Sequence, residues 1–121
     1  MTEISADIGT LLGKGAGFTG KLAFQGTVRI EGTFEGEILS DDTLVVAKGG
    51  EIRGTVRVGH LIVTGGLVEA DVVAIHSVEI LPGGIVTGRV TTPSLQIEKG
   101  ALFQGQSNMP LESGHAGNET P

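Results

Sequence analysis

The sequence predicts an all-β, single-domain parallel β-helix of about six coils over residues 17–105, with a tail at 1–16 and a disordered tail at 106–121. Three observations carry this. The chain of 121 residues holds 21 Gly but only four Phe, no Trp and no Tyr, a composition of short strands and tight corners. A signature of a large apolar residue, any residue, then Gly or Ala recurs six times. It appears at Phe18-Thr19-Gly20, Phe34-Glu35-Gly36, Ile52-Arg53-Gly54, Val68-Glu69-Ala70, Val86-Thr87-Gly88 and Phe103-Gln104-Gly105, spaced by 16, 18, 16, 18 and 17 residues. Within each copy the apolar residues alternate with period two, and no segment between copies is long enough for a helical crossover.

The first coil, "GFTGKLAFQGTVRIEG", places Leu22 two residues past its signature Gly and Val28 and Ile30 one side further on. The second, "TFEGEILSDDTLVVAKGG", repeats this with Ile38, Leu44 and Val46. In the third the same positions hold Val56, Leu61 and Val63, and in the fourth, Val72, Val78 and Ile80. The fifth supplies Val90, Leu95 and Ile97 before the array closes on "LFQG" at 102–105. About 17 residues make three short strands and three corners. Coils of this kind stack like residue on like and bury a stripe of Val, Ile and Leu. Gly serves the corners, where positive φ or close backbone approach is needed, and inside the signature it leaves room for the preceding Phe or Ile. Lys48 and Pro82 point outward at corners. Glu35, Arg53 and Glu69 form an outward ladder of alternating sign that supports the register. Lys21 with Glu37 and Asp71 with Arg89 extend it.

Residues 15–22, "GAGFTGKL", imitate the phosphate-binding pattern G-x-x-x-x-G-K-[ST]. The imitation fails on chemistry. Leu22 has no hydroxyl for magnesium, and "KLAFQGTVRIEG" downstream is strand-like where a helix would have to present its N-terminus. No nucleotide is therefore expected. A formal net charge of −6 argues against nucleic acid, which needs a basic face. Absence of Cys excludes disulfides, thiolate metal sites and a cysteine nucleophile. His60 and His76 fall near one corner in adjacent coils but lack a third metal ligand, and Asp41-Asp42 is a normal turn pair. No nucleophile, base and orienter come together, so the chain is read as no enzyme, with no cofactor.

The N-terminus has an apolar stripe. Met1, Ile4, Ile8, Leu11 and Leu12 would share one face of a helix, as a cap over the first coil or as a membrane-surface anchor, or they belong to a disordered tail in which they are incidental. Glu3 and Asp7 weaken attraction to anionic lipid, but arrayed copies would multiply weak contacts. At the other end the last copy turns polar after Gly105, leaving Phe103 on an end face with nothing to stack on it. Such an edge is a template for a second chain, and sheet continuation there needs no nucleotide.

The run "GKGAGFTGKLAFQGTVRIEGTFEGEI" at 13–38, the close "SLQIEKGALFQG" at 94–105 and the array between them resemble the bactofilins, bacterial cytoskeletal proteins. The resemblance implies a right-handed, triangular β-helix. It also implies nucleotide-independent, non-polar filaments with head-to-head and tail-to-tail contacts, lying in the cytoplasm at the inner membrane face. Such filaments scaffold cell-shape or envelope-synthesis proteins. It would place Leu102 and Phe103 at the C-terminal polymer contact, Phe18 and Phe24 near the N-terminal one, and Met1 to Leu12 in a membrane tail. A reading from another class is a hexapeptide-repeat acyltransferase with a left-handed β-helix and His60 or His76 as base. Against it, the regular six-residue [LIV]-G pattern is missing. A monomeric ice-binding solenoid would want a Thr-x-Thr array, which Thr91-Thr92 alone does not supply.

Overall fold

The computed structural model describes residues 3–6, 10–13 and 15–108, all as strands, turns and loops. In chain order the strands are β1 (Glu3–Ala6), β2 (Thr10–Leu12), β3 (Gly17–Phe24), β4 (Thr27–Ile30), β5 (Thr33–Leu39) and β6 (Thr43–Val46). They continue as β7 (Glu51–Val63), β8 (Leu67–Ile80), β9 (Ile85–Thr91), β10 (Leu95–Ile97) and β11 (Leu102–Asn108). Every pairing is parallel, and each joins one coil to the next. The molecule is a β-solenoid. Five complete coils run from residue 17 to residue 101. The sixth signature copy contributes β11 alone among the described residues, so six copies make five full turns.

Four inward columns build the core, and the register fixes each of them. Phe18, Phe34, Ile52, Val68, Val86 and Phe103 stack on the first side. Leu22, Ile38, Val56, Val72 and Val90 stack on the second. The third side carries two columns, Val28–Leu44–Leu61–Val78–Leu95 and Ile30–Val46–Val63–Ile80–Ile97. The members from the second to the fourth coil are buried in full. Each such side chain contributes about 1.5–3 kcal/mol relative to exposure. Because a coil touches only its neighbours, the columns must all agree on one register. A slip of one residue would turn each apolar set outward.

The structure gives the signature Gly a different role from the one its sequence context implies. Gly36 and Gly54 lie at φ +139° and +121°, and a Cβ on either would fall on the carbonyl oxygen of the Gly one coil before. The residue turns the corner between the first and second sides with stacked backbones in close approach. It does not make room for the preceding Phe or Ile, since Gly54 is itself exposed. Ala70 is the exception in this column. It is buried, 7% exposed, its ladder to Gly54 in the coil before runs unbroken, and the ladder from β8 to β9 is interrupted between Glu69 and Val72.

The helical reading of the N-terminal stripe is corrected: residues 3–6 and 10–12 are strands. β1 pairs with the second half of β3, in the order Glu3↔Lys21 to Ala6↔Phe24, and β2 pairs with β4. The open edge of the first coil offers its unpaired N–H and C=O groups to this segment. Backbone pairing on that edge outweighs a short helix weakened by Gly9. Met1 and Ile8 lie outside the described residues, as does the chain from 109 to 121; β11 itself runs on to Asn108.

Candidate assembly interface

The two ends of the solenoid differ, and this difference is where a function can be read. At the C-terminal end the core columns stop at Phe103, Leu95 and Ile97. Phe103, Leu95 and Ala101 are partly buried against the coil beneath them, and Ile97 is 45% exposed although it belongs to an inward column. Among the described residues nothing stacks beyond it. β11 presents seven residues in unbroken register with β9 and carries no charge. Among the described residues its outer edge has no partner, and an uncharged, regular, apolar-backed edge is a template for another strand.

Leu102 is placed differently from Phe103. Its column is Gly17–Thr33–Glu51–Leu67–Ile85–Leu102, which faces outward on the first side. Ile85 and Leu102 are 37% and 45% exposed there. Sequence reasoning singled out Phe103 and Leu102 but missed Leu95 and Ile97. The signal that could have found them is the last apolar-x-apolar pair, "LQI", which has no later copy to cover it.

At the N-terminal end Phe18 is half-buried and its ring stacks on that of Phe34, with centroids 5.3 Å apart and planes 13° apart. Phe24, 4% exposed, lies in the segment that β1 pairs with. Ile4 stands in β1 and Leu11 and Leu12 in β2. The near-miss phosphate motif is absorbed into β3, where Phe18, Gly20 and Leu22 occupy their columns and the chain continues into β4 rather than a helix.

The remaining candidate side chains form local pairs on the outer surface and at one corner. Arg53 Nε donates to Glu69 Oε1 at 3.0 Å, and its guanidinium lies 3.6 Å from Glu51. The bond to Glu69, then the Glu51 carboxylate, raises the Arg53 pKa above its usual value. Such exposed pairs hold register more than they add stability. Lys21 stands beside Glu37 in register, yet no ion pair joins them among the described residues. The rings of His60 and His76 stack at 4.9 Å, and His60 Nδ1 lies 2.8 Å from Ser77 Oγ. A bulge causes this, because Ile75 and His76 together stand opposite Gly59. Among the described residues no group of three His, Asp or Glu could hold a metal ion. An open groove of about 570 Å³ runs along the corner lined by Phe24, Leu39, Asp42 and Arg57, but Asp42 Oδ2 already accepts the Gly26 N–H at 2.8 Å. No helix among the described residues is long and apolar enough to cross a membrane.

Comparison with known proteins agrees with an assembly role. A family model described as Bactofilin, polymer-forming cytoskeletal, matches residues 10–108. The chain is 31% identical over 113 residues to "Bactofilin BacP" of Myxococcus xanthus (strain DK1622). That stretch is 93% of this chain and 47% of the relative, so the chain spans about half the length of the curated protein it matches. No solved structure matches the chain significantly.

Proposed function

The chain belongs to the bactofilin family of polymer-forming cytoskeletal proteins, and from that premise we propose that it assembles end to end, without nucleotide, into non-polar filaments. The C-terminal coil carries this reading: Phe103, Leu95 and Ile97 end three core columns beside an uncharged β11 whose outer edge has no partner among the described residues. Docking a second copy there continues the columns and pairs the edge, so burial and backbone hydrogen bonds supply the drive. A contact between two like ends produces a polymer with no overall direction. Phe103 and Leu102 act at this contact, and Phe18 and Phe24 near the opposite one. The product is a scaffold rather than an enzyme. Its role is to organise cell-shape or envelope-synthesis proteins from the inner face of the cytoplasmic membrane.

Two measurements test this. Purified chain in buffer free of nucleotide should form filaments visible by negative-stain microscopy, and a population of discrete small oligomers would overturn the reading. For the membrane, Met1, Ile4, Ile8, Leu11 and Leu12 are the residues assigned to lipid contact. Filaments should float with vesicles of phosphatidylethanolamine and phosphatidylglycerol in a density gradient, and polymer of a chain lacking residues 1–12 should stay at the bottom. Equal flotation of both forms would count against the anchor.

A further inference from the structure

The geometry points to a brake on filament growth at the N-terminal end: β1 and β2 occupy the edge of the first coil that an incoming copy would need. This rests on the assembly reading above. A solenoid ends in a step, and its two steps are finished differently. At the C-terminal end β11 is long, unbroken in register and free of charge. At the N-terminal end two of the three sides are already paired in cis, Lys21–Phe24 by β1 and Arg29 and Ile30 by β2.

The covering segment is itself a poor template. β1 has four residues and opens on Glu3, and β2 has three, with a register shift between Thr10 and Leu12. Short strands, a charge and an irregular ladder are the devices by which native sheets blunt an edge. Two copies meeting head to head would also bring Glu3 towards its counterpart in a chain that already carries a net charge of −6. Leu22, Val28 and Ile30 head the inward columns beneath this segment and are buried in full. Withdrawing residues 3–12 would expose them together with the unpaired edges of β3 and β4, producing a second end as adhesive as the first. The segment and a second copy therefore compete for the same backbone groups. While the segment is in place a chain assembles no further than a pair joined by C-terminal ends, and the unaltered chain forms filaments only through the fraction of N-terminal ends from which it has lifted. Whatever withdraws it, a lipid surface in the reading above, permits growth in both directions.

A disulfide lock tests the competition. Ser5 and Ala23 are register partners in adjacent parallel strands, where Cα atoms lie about 4.8 Å apart, within the range a disulfide spans. The chain has no Cys of its own, so Ser5→Cys with Ala23→Cys gives a single thiol pair. The oxidised double variant should sediment as a two-chain species and lose pelletable polymer, which returns on reduction. Polymer present in both states, or failure to form the bond within one chain, overturns the brake. Polymer absent in both states, and from the unaltered chain as well, sinks the assembly reading and the brake with it. A second variant guards against damage from the substitutions. Removing residues 1–12 should leave the β circular dichroism signal in place and lower the concentration at which polymer appears by about tenfold or more, equivalent to roughly 1.4 kcal/mol per contact. An equal or higher threshold would overturn the proposal.

Discussion

Gly54→Ala is expected to lower the thermal midpoint by roughly 15–25 °C, one methyl group undoing the stacking of two coils. Gly54 lies at φ +121°, and its Cβ would fall on the carbonyl oxygen of Gly36. That contact is with backbone, which cannot rotate away as a side chain can. A side chain held at such a φ costs on the order of 1–3 kcal/mol. Relief of the clash must separate the second coil from the third, which strips their ladder and opens four core columns at once. A total near 4 kcal/mol is typical of the most damaging single substitutions. For a domain of this size it corresponds to the stated shift. The comparison is Ala70→Gly in the same column. It should cost only about 1–2 kcal/mol, for a lost buried methyl and added chain entropy. Equal melting of Gly54→Ala and the parent would show that the corner does not require Gly.

Phe103→Arg is expected to abolish filaments while leaving the β signal and the unfolding transition close to those of the parent. Within one chain Phe103 is only partly buried, with a single coil beneath it. Its replacement therefore disturbs a terminal rung and no inner one. At the contact the same change is severe. A guanidinium would have to leave water at the centre of an apolar end face with no carboxylate on β11 to meet it. An unpaired buried charge costs several kcal/mol, and two like ends would bring two such charges together. A loss of about 4 kcal/mol weakens association roughly a thousandfold. Filaments of normal length in this variant would sink the C-terminal contact. Ile97→Lys should act in the same direction, because Ile97 is the core-column residue most exposed at that end.

Much of the solenoid was legible before any coordinates. The columns are written in the chain as Phe18, Phe34, Ile52, Val68, Val86 and Phe103, and the register of every coil follows from lining these up. A repeat protein can be read this way because its long-range contacts recur at a fixed sequence interval. The P-loop imitation in "GAGFTGKL" dissolved for the same reason, since Leu22 is the residue the column requires.

The exceptions to the repeat were not legible. The stripe of Met1, Ile4, Ile8, Leu11 and Leu12 has a helical period, yet residues 3–6 and 10–12 pair as strands. Local period is a weak preference in so short a segment, and an open edge with unpaired backbone groups overrides it. The bulge that stacks His60 on His76 also escaped notice. Nothing in "VAIHSV" marks which of its residues stands unopposed until the neighbouring coil supplies only Gly59.

The sequence by itself determined that this chain is a β-solenoid, because burial in a stacked array repeats and repetition can be read from one dimension. The tertiary structure alone decided what the signature Gly does, which side chains form the end face, and how the N-terminal end is closed. Each of these depends on a backbone group meeting its neighbour one coil away, a relation between coils that no single coil contains.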